Sequence, residues 1–355
     1  MKILMILYGK SIGGAELQFL ELARELAKRH QVKLISLGGS GALQDPLPGV
    51  EVKVYHYKRK VSALWGLFRA WAGNLNHDAK AIVTTSVFGN ALGLSLNFSR
   101  NARLVSMQTV SKAIRFPELD RFVLRRFDVL VAGSRDIRDF LLGHGQDPAR
   151  IEVVNNWVDF SSRKITLSSA EARQKFNFGA DDVILGCIGR MHPQKAQEYL
   201  IRAFRILKPL NPELRLVLVG EGQTLERMQA EAADLGDAVV FAGTIVGDDY
   251  NNILNMFDIY VQPSRFEGLP RTLLDAMHMR KPIVATAVNG NLDAIRDGDN
   301  GFLVPAEDPQ ALAAAIQKLL NDPALASGLA DQAYEDTIAN FEMVKQLRRI
   351  EQLLS

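Results

Sequence analysis

The sequence predicts two doubly wound α/β domains in tandem. A length of 355 residues exceeds the usual size of a single hydrophobic core. Short apolar runs alternate with helix-period segments along most of the chain, the pattern of parallel strands covered on both faces. That alternation stops at a polar stretch after Val158-Asp159, FSSRKITLSSAEARQKFNFGADD, and then restarts.

The elements follow in order. KILMILY reads as a first strand. In ELQFLELARELAKRH, residues Leu17, Leu20, Leu22, Ala23 and Leu26 recur near helical spacing with charge opposite. VKLISLG, AIVTTS, ARLVSMQ, DVLVAGS and IEVVNN read as the further strands of this half. The polar stretch reads as linker plus a short helix. In the second half, VILGCIGR, LRLVLVG, AVVFAG, FDIYVQPS, PIVATAV and GFLVP read as strands. EYLIRAFRILKPL, LERMQAEAADLG, TLLDAMHMR and ALAAAIQKLL read as helices between or after them. The expected division is 1–165, 166–335 and a C-terminal helix in 336–355. Such sheets bind ligands outside the carboxyl ends of their strands, so two facing units predict a central cleft.

Composition narrows the function classes. The chain is 47% hydrophobic and 23% charged, ordinary for a globular protein. A single cysteine, Cys187, excludes an internal disulfide, and six scattered histidines add no recognisable zinc spacing. The apolar run Ile3–Tyr8 is too short for a signal-peptide core, and no stretch has the length of a membrane span. A cytoplasmic protein is expected. No nucleic-acid-binding module is present. The net charge of +2 hides a polarity: residues 1–165 hold 24 Lys and Arg against 14 Asp and Glu (+10), leaving 18 against 26 (−8). The basic half would attract an anionic partner.

Three stretches carry candidate chemistry. In YGKSIGGAE, Gly13 and Gly14 separate a strand from a helix; they either bring backbone amides to a phosphate or make a tight turn. It is not a dinucleotide fingerprint, because the third glycine is missing. In CIGRMHPQKAQEYLIRAF, Arg190 and Lys195 lie between a strand and a helix, where a fork and a point charge would meet phosphate oxygens. In PSRFEGLPRTLLDAM, Glu267 lies in the loop after a strand, placed to accept hydrogen bonds from sugar hydroxyls. Pro270 favours the first helical turn, which sets the Gly268 and Leu269 amides at a helix start. Asp275 follows in the helix and either faces the same ligand or is a solvated acid.

Taken together, GGAE, GR–four residues–K, LVLVGEG, VVFAG, DIYVQPSRFEGLP, PIVATAVNGN and NGFLVP resemble the retaining glycosyltransferases of family 4, also called glycosyl transferases group 1, which have the GT-B fold. The resemblance runs along most of the chain and is densest from Ile184 to Pro305. It implies two Rossmann-like domains facing a cleft, with the last helix, MVKQLRRIEQLL, packing back on the first domain. It also implies that Arg190 and Lys195 neutralise the diphosphate of a UDP- or GDP-sugar. Glu267 would hold hydroxyls of the transferred sugar, and the Gly268 and Leu269 amides would contact phosphate. Asp275 would hold the ribose, and the backbone near Thr244 and Ile245 would meet the base. Gly14 would approach the phosphates from the first domain, with Gly13 and Gln108 on the acceptor or sugar side. No metal or other cofactor is implied. Catalysis would rest on Arg190, Lys195 and Glu267, by front-face attack in which the departing phosphate takes the acceptor's proton, with no covalent nucleophile.

Four positions depart from the family pattern. Asp275 and Asp293 stand where glutamate is usual, and Ala196 stands where glycine follows the lysine. Gln108 stands where a histidine often ends the strand, and an amide cannot titrate. The implied acceptor is a glycan or a lipid-linked molecule. The run YHYKRKVSALWGLFRAWAGNL sets Lys58, Arg59 and Lys60 beside Leu64, Trp65, Leu67, Phe68 and Trp71. These residues, 58–71, read either as a face for an anionic membrane at the inner side of the cell membrane or as a helix whose aromatics pack on the sheet. Lys112, Arg115, Arg121, Arg125 and Arg126 add basic surface in the same half. The competing functions are a non-catalytic scaffold that binds sugar nucleotides and a nucleotide-sugar epimerase; the family motifs are the wrong ones for the epimerase.

Overall fold

The computed structural model of the chain describes residues 1–9, 14–38, 47–56, 60–98, 101–108, 117–160 and 164–355. They form two compact units: Met1–Asn156 with Val344–Ser355, and Trp157–Met343.

The first unit is built on β1 (Lys2–Gly9), β2 (Gln31–Gly38), β3 (Val50–His56), β4 (Ala81–Thr85), β5 (Arg103–Gln108), β6 (Val129–Ala132) and β7 (Ile151–Val153). They pair parallel in the order β3-β2-β1-β4-β5-β6-β7. The chain thus winds outward in both directions from β1 and β4, the switch point outside which such sheets bind ligands. Strand β3 is absent from the sequence reading, because its alternation of Val with polar residues is that of an edge strand rather than a buried run. Helix α1 (Gly14–Ala27) buries Phe19, Leu22, Ala23 and Leu26 at helical spacing, whereas Leu17, expected on that face, is exposed. Helices α2 (Lys60–Ala72), α3 (Ser86–Leu96), α4 (Pro117–Leu124) and α5 (Arg135–Gly143) link the later strands. Leu67 and Trp71 of α2 pack on the core beneath it, and Phe68 is exposed. Lys58, Arg59, Lys112 and Arg115 lie outside the described residues.

The second unit repeats the plan with β8 (Val183–Ile188), β9 (Leu214–Val219), β10 (Val239–Phe241), β11 (Ile259–Gln262), β12 (Ile283–Thr286) and β13 (Phe302–Val304), in the parallel order β10-β9-β8-β11-β12-β13. Its helices are α6 (Ser169–Lys175), α7 (Gln197–Leu207), α8 (Leu225–Glu231), α9 (Asp248–Met256), α10 (Arg271–His278), α11 (Asn289–Ala294), α12 (Pro309–Asn321) and α13 (Pro323–Phe341). Side-chain alternation divides β8 between two cores. Leu185 and Cys187 pack with Phe204 and Ile316 on one face; Ile184 and Ile188 pack with Leu254 and Leu273 on the other. The helix expected through Gly236 stops at Glu231. A 3-10 segment with Gly236 at φ 52° takes over.

The units divide at Asn156/Trp157 rather than at 165/166. Trp157 and Val158 are fully buried, and Val158 belongs to the core of the second unit. The division expected at 335/336 falls inside α13. Backbone bonds from Val158 to Phe341 (3.1 Å) and from Met343 to Val158 (3.3 Å) keep the chain in the second unit until Met343. Helix α14 (Met343–Leu353) then joins the first unit. Leu347 and Ile350 are buried there, His30 and Arg29 meet Glu351 at 2.6 and 2.9 Å, and Arg103 donates to the Leu353 carbonyl at 2.7 Å. Among the described residues no helix is long and apolar enough to cross a membrane.

Candidate functional site

The switch point of the second sheet lies between β8 and β11, and the charged residues singled out from the sequence come from the loops that leave these two strands. Beyond Ile188 the chain passes Gly189, whose amide is bonded to the Val219 carbonyl at 2.9 Å. Gly220, at φ 129°, lies so close that a Cβ there would sit 2.2 Å from the Gly189 oxygen, which explains the glycine closing LVLVG. Lys195 follows a tight turn in which its amide donates to the His192 carbonyl at 2.8 Å. Ala196 then takes a left-handed conformation (φ 53°, ψ 34°) as the residue before α7, so the glycine usual here is replaced at a position of positive φ. The Arg190 side chain is exposed, and Gln197 holds its carbonyl and that of Gly189 at 3.3 Å.

On the neighbouring strand, Tyr260, Gln262 and Ser264 alternate along one face and lead to Glu267. Glu267 is 5% exposed, and its Oε1 accepts from Lys195 Nζ at 2.6 Å, Gln262 Nε2 at 2.8 Å and Ser264 Oγ at 2.5 Å. Tyr260 in turn donates to Gln262 Oε1 at 2.7 Å. A carboxylate this deeply buried needs such donors, since an uncompensated charge would cost several kcal/mol. The loops are also tied together directly: Arg265 N donates to Gln194 O at 2.8 Å, and Gln194 Nε2 to Phe266 O at 3.0 Å. The Arg265 guanidinium reaches Glu198 (3.1 Å), Glu307 and the Pro193 carbonyl. Helix α11 presses on the far side, where a Cβ on Gly290 would sit 1.7 Å from the Gly268 oxygen.

Burial sets the protonation of the neutral groups. The Tyr260 phenol is raised well above its ordinary value, by burial first and further by Glu267 and Asp275, so it stays a donor. Burial also pushes the Cys187 thiol up to about 12, against the opposing pull of Lys195. Cys187 is therefore a packing residue and no nucleophile.

Of the remaining positions, Asp275 lies in α10 and is buried, its Oδ2 accepting from Tyr250 OH at 2.7 Å; it is not a solvated helix acid. Pro270 is the residue before α10 rather than in its first turn. Thr244 is exposed and Ile245 half-buried in the loop after β10. In the first unit Gly14 opens α1, and Gly13 lies outside the described residues. Gln108 ends β5 half-buried, donating to Ser106 Oγ at 2.8 Å. Lys195 and Glu267 are thus brought into contact, with Gly268 beside them. The residues that sequence reasoning missed are Gln262, Ser264, Tyr260, Gln194 and Arg265. The signal was present in YVQPS, where polar groups recur at every second position of a strand central in its sheet. Among the described residues no cluster of His, Cys, Asp or Glu could hold a metal ion.

Comparison with known proteins follows the division of the fold. The profile described as Glycosyltransferase Family 4 matches residues 12–162, and that of Glycosyl transferases group 1 matches residues 168–336. The D-inositol 3-phosphate glycosyltransferase of Acidothermus cellulolyticus is 32% identical over 231 residues, 60% of this chain and 51% of that protein. The GDP-mannose-dependent alpha-(1-6)-phosphatidylinositol monomannoside mannosyltransferase of Mycolicibacterium smegmatis is 30% identical over 249 residues, 66% of this chain and 65% of that protein. The chain thus spans about half the length of the first of these relatives. Anabaena HepE, solved in complex with UDP and glucose, superposes with a TM-score of 0.87 at 22% identity, covering 100% of this chain and 99% of that one. With two glycosyltransferase profiles covering nearly all of both sheets, the chain belongs to glycosyltransferase family 4, the glycosyl transferases group 1, and has their GT-B fold.

Proposed function

We propose that the protein is a retaining hexosyltransferase. It moves a sugar from UDP or GDP to a glycan or lipid-linked acceptor in bacterial-type polysaccharide or glycolipid synthesis. The observation that carries this reading is the Lys195–Glu267 pair at the β8/β11 switch point. A cation for a departing diphosphate and a carboxylate for sugar hydroxyls stand there side by side. A relative named for mannosyl transfer to a phosphatidylinositol monomannoside supports the lipid-linked acceptor class.

In this reading Arg190 and Lys195 stabilise the charge that develops on the leaving diphosphate, which is where electrostatic catalysis acts most strongly. The Gly268 and Leu269 amides add donors to it. Glu267 orients the transferred sugar, Asp275 the ribose, and the backbone at Thr244 and Ile245 the base. Gly14 serves the phosphates, and Gly13 and Gln108 the acceptor or sugar side. The leaving phosphate takes the acceptor's proton, so no covalent nucleophile and no metal are required. The protein works in the cytoplasm, at the inner face of the membrane, with α2 and the basic residues before it as the contact. Phe68 and Arg69, both exposed, support that contact.

The test is incubation with labelled UDP- and GDP-sugars, with and without EDTA, plus candidate acceptors. Acceptor-dependent transfer unaffected by EDTA supports the proposal. Epimerisation, or nucleotide binding without turnover, replaces it with the epimerase or scaffold reading. Vesicles of phosphatidylglycerol should retain the protein at low salt and release it at high salt; no retention at low salt ends the membrane part.

A further inference from the structure

Glu267 accepts three donors on one oxygen, and only one of them is an ion. Gln262 and Ser264 are 1% and 0% exposed, and Ser264 is anchored in turn. Its Oγ accepts from Gln262 Nε2 at 3.0 Å, and its carbonyl accepts from Thr286 Oγ1 at 2.6 Å. Gln262 is oriented by Tyr260, whose hydroxyl occupies its amide oxygen and so turns its amide nitrogen toward Glu267. These donors run in one direction, from a fully buried phenol through an amide and a hydroxyl to the carboxylate. Lys195 differs from them. Its side chain is 20% exposed, sits on a loop and has four rotatable methylenes.

We infer that Tyr260, Gln262 and Ser264 are positioning residues that hold Glu267 in place while Lys195 leaves it for an incoming diphosphate. The inference rests on the donor reading proposed above. Its physical basis is the asymmetry of buried ion pairs: removing one partner is costly when nothing else satisfies the charge left behind. Here two neutral donors already satisfy the oxygen that Lys195 vacates, so the lysine is exchangeable. Without them Glu267 would retain Lys195, and a diphosphate would have to compete for it.

The experiment is calorimetric titration with UDP and with GDP. It uses wild type, Ser264→Ala, Ser264→Thr, Gln262→Met and Glu267→Gln, and the double variants that add Glu267→Gln to Ser264→Ala and to Gln262→Met. Ser264→Ala and Gln262→Met should each lose roughly 10-fold in affinity for the nucleotide that wild type binds, the worth of one charge-assisted hydrogen bond. Adding Glu267→Gln should restore affinity to within about 3-fold of Glu267→Gln alone, because a neutral amide no longer holds the lysine. Ser264→Thr, which keeps the hydroxyl, should bind like wild type. A general packing defect would not be repaired by a second substitution in the same core, so the double variants separate the two causes. Unchanged affinity in both single variants overturns the inference, as does failure of Glu267→Gln to restore binding. If wild type binds neither UDP nor GDP, the donor reading falls and takes this inference with it. Should Gln262→Met not fold, the Ser264 series decides alone.

Discussion

Two sheets wound in the same order, the first longer by β7, carry different chemistry among the described residues of their carboxyl edges. Among the described residues of the first unit, the side chains bonded to one another along β4, β5 and the helix between them are hydroxyls and amides. Asn90 Oδ1 accepts from Thr84 Oγ1 at 2.6 Å and Ser106 Oγ at 2.8 Å, and Gln108 extends the chain. In the second unit the same edge adds buried acids to its amides and hydroxyls: Glu198, Glu267 and Asp275 are all at least 95% buried, the first two facing Arg265 and Lys195. Among the described residues of the first unit, Asp120 is the buried carboxylate, and burial raises its pKa. The contrast runs against net charge. The half with a charge of −8 buries three acids, whereas the described residues of the half with +10 bury one, Asp120. Net charge therefore describes what a surface attracts, whereas the chemistry of a site depends on which charges the fold desolvates.

The contrast can be broken most severely at Lys195. Lys195→Ala removes the cation of the ionic edge and should lower turnover by roughly 100- to 1000-fold, the usual cost of losing one preorganised donor at a developing charge. Nucleoside diphosphate affinity should fall with it. A variant with unchanged turnover would mean that the second edge is ionic for stability alone.

A second measure is the pH dependence of stability, which the charges inside the second unit should dominate. Burial pushes the Lys281 ammonium down to about 8; Asp258 opposes this and Arg173 adds to it. The Lys281 ammonium donates to the Asn255 carbonyl at 2.6 Å. From about pH 8 to the unfolded value near 10.5, the unfolded chain holds a proton that the folded chain has lost. Stability from this group therefore rises across that window, by up to about 3 kcal/mol. Lys281→Met should be no less stable than wild type at pH 7. Its advantage should shrink as pH rises toward 10, measured by urea unfolding at each pH. An advantage that does not change with pH would refute the assignment.

The two acids sharpen the comparison further. Glu267→Gln keeps the shape and weakens the bonds to sugar hydroxyls by about 1.5–3 kcal/mol, or 10- to 100-fold in rate. Nucleoside diphosphate affinity should hold or rise, because Lys195 is freed. Asp275→Ala should instead weaken the free nucleotide by about 10-fold. Equal loss of nucleotide binding in both variants would show that the acids do not grip different parts of the ligand. The smallest effect is expected at Ala196. Ala196→Gly removes the penalty of an alanine at φ 53° and adds unfolded-state entropy, a net gain below about 1 kcal/mol with nucleotide affinity unchanged. A loss of stability on denaturant unfolding would show that the methyl packs well enough to outweigh the backbone.

Much of the second unit was legible in order. Its central strands β8, β9, β11 and β12 are apolar runs recoverable from composition, because parallel central strands hide both sides. What escaped had mixed surroundings. Strand β3 is an edge strand with alternating exposure, and α9 and α11 are short, with polar sequences. At the site, Lys195 and Glu267 were legible because each follows a strand that ends in a recognisable motif. Gln262 and Ser264 were read as the end of an apolar run, since their partner is a side chain three to five residues ahead and on no common periodicity.

The sequence by itself determined the alternation of strands and helices, the restart after Asp159, and the placement of Arg190, Lys195, Glu267 and Asp275 after strands or within the helix that follows one. These are local properties, set by periodicity and by what may follow a strand. The tertiary structure alone decided that Lys195 and Glu267, 72 residues apart, share one bond. It also decided that Asp275 turns to Tyr250 instead of water. The reason is that a charge acquires its role from what replaces its water. That replacement comes from strands adjacent in the sheet, β8 and β11, which the chain order keeps far apart.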